Sequence, residues 1–307
     1  MSKVLSTARL NWAAPGAANQ VPGGVFHSDL PHGPPLSLQM WLLPLSVPLL
    51  GLLALLARQR GILAAGRGAL NRVLRWARGP ACPRRTHAFV FSQCTHGRAD
   101  SVLETFDLYA ETHHTLELGR VRGVELDEVV VRVAPLRVLE LGLGCGYSAV
   151  RTLRLLPPGG RLLAVEADPL SAELGEELVL VAGFKHHQFE VLTCSSAEAI
   201  AGLRRPLHGD QGEEEGGLDL VLMDHDPQHY LPDLRALEGW GLLRPGGCLV
   251  LMVFRGHDSV VRQEVLEHVG SRPQSYSSSV RSGRGDLMEV QYREETISLM
   301  SSGDVIG

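Results

Sequence analysis

Short apolar runs recur along the second half of the chain at spacings that predict strands, and stretches of helical period separate them. The runs are Arg137–Leu141, Arg161–Glu166, Gln188–Thr193, Leu218–Asp224 and Cys248–Phe254. Between them, Pro169–Ala182 and Tyr230–Gly241 have helical period. Ahead of the first strand, Ala99–His114 and Arg122–Val133 also read as helices, the former with Val102, Leu103, Phe106, Leu108 and Tyr109 on or near one face. Strands that alternate with helices imply a parallel sheet with crossover helices. Leu287–Tyr292 is expected to add a late, antiparallel edge strand.

Upstream, the pattern changes. Residues 40–57 hold no charged side chain, and 18 residues approach the ~20 that span a bilayer as a helix. Trp41 lies at one end and Arg58 and Arg60 at the other, as interfacial residues do, while Pro44 and Pro48 kink or delay the helix. A cleaved signal peptide is the main rival, but its leader would be unusually long. A buried helix is opposed by the arginines that follow. The chain is therefore expected to comprise a disordered tail (1–39), a transmembrane helix (40–57), an Arg-rich juxtamembrane segment (58–85), a catalytic domain (86–295) and a tail (296–307).

Charge sharpens this picture. Residues 58–85 contain eight arginines and no acid, yet the 307-residue chain totals −5, so the body beyond is strongly acidic. An acidic body excludes a nucleic-acid partner, whose binding face should be basic. The arginine-rich flank favours the cytosolic side, which puts the acidic domain in the cytosol, on the endoplasmic reticulum or plasma membrane. Residues 61–78 space Leu63, Leu70, Val73, Leu74 and Trp76 between arginines, as a helix lying on anionic lipid would. A merely solvated charged face is an equal reading. The five cysteines form no C-x-x-C pair, which implies neither a disulfide scaffold nor a zinc site. The acidic loop 208–217 suggests solubility and nothing more.

The chemistry gathers where the first strand ends. Gly142, Gly144 and Gly146 alternate directly after Leu141, in a turn where missing Cβ atoms let a ligand approach the backbone. About 20 residues on, Glu166 closes the second apolar run, where a carboxylate accepts hydrogen bonds from a ribose diol. Tyr147 and Ser148 follow the third glycine at once, unlike the dinucleotide fingerprint, and no basic residue stands in the turn to favour a pyrophosphate. S-adenosylmethionine, which lacks phosphates, suits such a turn better than NAD.

Longer strings extend the pattern: Leu139-Glu-Leu-Gly-x-x-Cys-Gly-Tyr-Ser148, Pro157-x-Gly-x-x-Leu162-x-x-x-Glu166, and Asp224-His225-x-x-x-x-Tyr230-Leu-Pro-Asp233. Together they resemble the catechol O-methyltransferase family, and within it the membrane-anchored, transmembrane branch, over roughly residues 88–255. The resemblance implies a class I S-adenosylmethionine-dependent methyltransferase: a Rossmann-like, doubly wound, mostly parallel sheet behind one N-terminal transmembrane helix, acting on a catechol-like small molecule. It also implies that Glu140, Gly142, Tyr147 and Ser148 line the methionine and ribose end of the cofactor, and that Leu118 and Gly119 close over the methionine. Glu166 would take the ribose hydroxyls with Ala167 beside it. Ser196, Ala197 and His225 would flank the adenine, and Asp224 would border the same site.

The family's reaction uses magnesium held by two aspartates and an asparagine, with a lysine as base. Here Asp224 matches the first ligand, the apolar run Leu249–Phe254 replaces the Asp-Asn pair, and Pro227 occupies the lysine position. The serine-rich stretch Ser275–Ser279 stands where the family has a substrate-orienting glutamate. Losing two of three ligands should abolish tight magnesium binding. His229 is the candidate substitute base, since imidazole titrates near neutral pH. A purely structural reading of the same stretch makes Asp226 an N-cap and Pro227 the first turn of a helix. Two functions follow: a membrane-anchored O-methyltransferase, or an impaired relative that binds the cofactor or a membrane-protein partner without methyl transfer.

Overall fold

The computed structural model describes residues 81–115, 118–203, 217–256, 258–281 and 287–293, with isolated helical positions between 58 and 77. The expected membrane span 40–57, both tails and most of the acidic loop lie outside the described residues, among which no helix is long and apolar enough to cross a membrane. The chain divides after Ala64, and the fold below is that of the second unit.

From Pro83 onward the described residues open with three helices: α1 (Pro83–Gln93), α2 (Ala99–Thr112) and α3 (Arg120–Val133). Strands and helices then alternate through β1 (Arg137–Leu141), α4 (Tyr147–Leu153), β2 (Arg161–Glu166), α5 (Pro169–Val181), β3 (Phe189–Thr193), α6 (Ser196–Leu203) and β4 (Leu220–Met223). A 3₁₀ turn (Pro227–His229), α7 (Tyr230–Gly239), β5 (Leu249–Val253), α8 (Ser259–Gly270), β6 (Tyr276–Arg281) and β7 (Leu287–Tyr292) complete the domain. The seven strands lie in the order 3-2-1-4-5-7-6. The first five are parallel, and β7 runs antiparallel to both β5 and β6.

The near-continuous apolar character of the central strands has a direct cause. Val138, Leu162, Leu220, Leu222, Leu249 and Leu251 pack with α1–α5 on one face of the sheet, whereas Leu139, Leu141, Val221, Val250 and Met252 pack with α6–α8 on the other. Strands buried on both faces have no polar side to alternate with. This is a three-layer, Rossmann-like architecture, the class I methyltransferase fold, with a mixed rather than wholly parallel sheet.

Three expectations need correction. The strands read as Leu218–Asp224 and Cys248–Phe254 are shorter at both ends, at Leu220–Met223 and Leu249–Val253. Leu287–Tyr292 is antiparallel but not an edge, because β6 pairs outside it. The edge strand β6 begins Tyr276-Ser-Ser-Ser, and Ser278 and Ser279 are exposed. Polar side chains at an unpaired edge discourage pairing with other chains, and they also erase the apolar signal of a strand. Helix α1, too, went unforeseen. It starts at Pro83, inside the segment read as juxtamembrane, with proline in the first turn where its missing N–H costs nothing.

Candidate active site

The site is built where the sheet order reverses, between β1 and β4, the place at which doubly wound sheets bind ligands. Past Leu141 the chain turns through Gly142, Gly144 and Gly146, at φ of 96°, 55° and 88°. A Cβ on Gly142 would stand 2.6 Å from the carbonyl oxygen of Asp224, so the ends of β1 and β4 meet too closely for any side chain. The Asp224 N–H donates to the Leu141 carbonyl at 2.9 Å and closes that junction. At Gly146, the N-cap of α4, a Cβ would lie 2.9 Å from the Gly175 carbonyl, because α5 packs against the turn.

Above the turn is a cavity of about 610 Å³, within the roughly 300–1,000 Å³ range of small-molecule sites. Glu166, at the tip of β2, is fixed in its wall. One carboxylate oxygen accepts from the Gly144 N–H at 2.9 Å and the other from the Asp168 N–H at 3.0 Å. A carboxylate offers about four lone-pair sites, so two donors leave capacity for a diol. Asp168 caps α5 by accepting from the Ser171 N–H at 3.0 Å and hydroxyl at 2.7 Å, and these bonds hold its carboxyl below its usual range. Opposite, Ser195 and Glu198 form a reciprocal capping box at the start of α6, with Ser195 donating through N–H at 3.0 Å and hydroxyl at 2.8 Å.

The fold gathers most of the residues singled out in the sequence. Gly142, Ser148, Glu166, Ala167, Ser196, Ala197, Asp224, His225 and His229 all line the cavity. Leu118, Gly119, Glu140 and Tyr147 do not. Glu140 is fully buried in β1 and accepts a short hydrogen bond from the Ser148 hydroxyl, so it stands behind a cavity residue. Tyr147 is turned toward the helical layer. Its ring packs edge-on to Phe106, and its hydroxyl donates to Asp107 at 2.8 Å. Leu118 belongs to the core beneath α3, and Gly119 is the N-cap of that helix at φ 79°. Pro83, the first residue of α1, lines the cavity and was not foreseen.

At the far side, Asp224 follows β4 directly, with its side chain only 6% exposed. Its Oδ1 accepts from Arg255 Nη2 at 2.9 Å. Burial pushes the Asp224 carboxyl up to about 6, against the opposing pull of Arg255 and, more weakly, of Arg122 in α3. Two further groups organise this end. His225 Nε2 lies 2.9 Å from Asp233 Oδ2, and Nδ1 of the same ring is buried without a hydrogen-bond partner. His229 is exposed at the rim, its ring 6.4 Å from that of His225. Asp226 caps the 3₁₀ turn, accepting from the Gln228 N–H at 3.1 Å with Pro227 as the first turn residue.

Magnesium wants near-octahedral oxygen donors, and this donor set does not fit it. Asp224, the carboxylate at the expected metal position, is engaged by a guanidinium, and Met252 and Val253 on the neighbouring β5 are fully buried apolar side chains. Among the described residues no group of three or more His, Cys, Asp or Glu could hold a metal. Neither Arg255 nor the His225–Asp233 pair emerged as a functional group from the sequence. Asp233 stood inside a quoted motif without a role, and Arg255 followed an apolar run with nothing to mark it.

A glycine turn at the switch point, with an acid fixed at the tip of the next strand, places the chain among the class I, Rossmann-like α/β proteins. Comparison with known proteins makes the class specific. The O-methyltransferase family model matches residues 103–267, more than half of the chain. The chain is 40% identical over 168 residues to transmembrane O-methyltransferase of Homo sapiens, covering 54% of this chain and 55% of that protein. It is 35% identical over 214 residues to catechol O-methyltransferase B of Danio rerio, covering 69% and 75%. Among solved structures, it is similar to an O-methyltransferase from Bacillus cereus in complex with SAH, with a TM-score of 0.49 and 18% identity over 62% of this chain and 90% of that one. The chain belongs to the O-methyltransferase family. It spans about half the length of the transmembrane O-methyltransferases that it matches.

Proposed function

We propose that this domain transfers the methyl group of S-adenosylmethionine to a catechol-like phenolic hydroxyl, at a membrane to which residues 40–57 anchor it. The carrying observation is the Glu166 carboxylate, held by the Gly144 and Asp168 amides in the wall of a nucleoside-sized cavity. The donor's ribose binds there, with Ser196 and Ala197 flanking the adenine. Gly142 and Ser148 accommodate the methionine end. The relatives named transmembrane O-methyltransferase support the membrane part of this reading.

In the transfer, an oxygen lone pair of the acceptor forms the new C–O bond to the methyl carbon. The C–S bond breaks, and its electron pair stays on sulfur, which becomes a neutral thioether. The hydroxyl proton leaves to a base, for which the cavity-lining imidazoles are His225 and His229. Asp233 fixes the His225 ring through Nε2, and Nδ1 of that ring is buried. His229, exposed at the rim, is the imidazole open to an incoming acceptor.

Calorimetry with the donor and its demethylated product, followed by transfer of a radiolabelled methyl group to catechol, tests the reading. Glu166→Ala should weaken donor binding about tenfold, the loss of hydrogen bonds to a charged group. Unchanged affinity overturns the ribose assignment, and no donor binding at millimolar concentration overturns the function.

A further inference from the structure

We propose that the Arg255 guanidinium supplies the positive charge at the acceptor end of this site, so that methyl transfer proceeds without a metal ion. The inference rests on the donor site proposed above and adds how the acceptor oxygen is held.

Three observations converge. Arg255 lies two residues beyond β5 and reaches the Asp224 carboxylate at the end of β4, with Nη2 2.9 Å from Oδ1. Its backbone is fixed as well, since its N–H donates to Asp258 Oδ2 at 2.6 Å in the turn that opens α8. Finally, Asp224 lines the cavity, and Arg255, which does not line it, keeps 31% of its side chain exposed beside that almost wholly covered aspartate. A cation already seated on Asp224 competes with a divalent metal for the same oxygen and repels it. The neighbouring side chains on β5, Met252 and Val253, provide no further oxygen ligand.

A guanidinium can do much of what a metal does for a phenol. It is permanently charged, and its planar fork of donors suits an anionic oxygen. As the acceptor hydroxyl loses its proton, negative charge develops on oxygen before the C–O bond forms. A fixed cation beside that oxygen lowers the barrier, and removing one such group elsewhere costs about 100-fold or more in rate. Arg122 of α3, which also acts electrostatically on Asp224, adds positive potential at the same end.

The full chain is assayed with S-adenosylmethionine and catechol, in excess EDTA and in millimolar magnesium. Equal rates are expected. In EDTA, Arg255→Met should lose about 100-fold or more in kcat/KM, with donor affinity by calorimetry nearly unchanged and Arg255→Lys intermediate. Because Arg255→Met strands a buried carboxylate, Asp224→Asn/Arg255→Met removes both charges together. If Arg255 served only to neutralise Asp224, the double variant would recover activity. It is expected to stay as low as the single one. Manganese calorimetry on the donor complex needs no turnover, and no stoichiometric uptake is expected. Stoichiometric manganese binding, transfer abolished by EDTA and restored by magnesium, or recovery in the double variant each overturn the proposal. Failure of the wild type to bind the donor, or to methylate catechol under either condition, instead overturns the function proposed above, and this inference with it.

Discussion

Single residues at the junction of β1 and β4 are under two separate constraints. Gly142 combines φ 96° with a neighbouring backbone 2.6 Å from where a Cβ would be. Gly142→Ala should therefore cost both conformational strain and separation of the strand ends. Donor affinity is expected to drop more than tenfold, about 1.4 kcal/mol or more, with a lower melting temperature, and isothermal calorimetry with scanning calorimetry would show both. Asp224 obeys a different logic. Its carboxyl is raised to about 6 by burial, whereas in the unfolded chain it titrates in the ordinary range near 3.8. Between those values the folded state binds more proton than the unfolded state, so this group's contribution falls as pH rises from about 4 to 6. Denaturant melts across that window should show the slope in wild type and its loss in Asp224→Asn. An identical slope in both would refute the assignment. Little of this was legible from residues alone. The glycines and Glu166 declared themselves by spacing, but Arg255 and Asp224 are 31 positions apart and meet only because β4 and β5 lie side by side.

Elements were easier to read than contacts. Strands β1 and β2 match the apolar runs residue for residue, because burial on both faces leaves an unambiguous stretch. Strand β6 and helix α1 were invisible for the opposite reason: one carries serines to an exposed edge, and the other opens with Pro-Arg-Arg. Tyr147 shows the limit at the next level, where adjacency to the glycine turn suggested the cavity but the first turn of α4 swings the ring toward α2. Register at the opposite end of the strands depends on Asp219, which is 4% exposed. Its Oδ2 accepts from the Leu136 and Arg137 N–H groups at 2.7 and 2.9 Å, and its Oδ1 pairs with Arg244 at 2.8 Å. Asp219→Ala leaves two part-buried N–H donors and a half-exposed cation without their acceptor, and should destabilise the domain by about 2 kcal/mol. Chemical denaturation measures this directly, and a loss below about 1 kcal/mol would show that water replaces the carboxylate.

At the scale of the whole molecule, the proposed donor binding and folding are one equilibrium. Donor at about 100 times its dissociation constant should stabilise the domain by about 2.7 kcal/mol. That corresponds to an upward shift of roughly 5–10 °C in melting temperature for a domain of this size. Absence of any shift would mean that the cavity takes no donor. The architecture also divides labour along the sheet. Glu166, the glycine turn and the start of α6 belong to β1, β2 and β3, whereas Arg255 rides on the connection from β5 to α8, pinned there by Asp258. If the domain transfers a methyl group as proposed, substitutions in that one connection should alter which compounds receive it while the grip on the nucleoside stays intact, and new acceptor preferences could then arise without rebuilding the donor half.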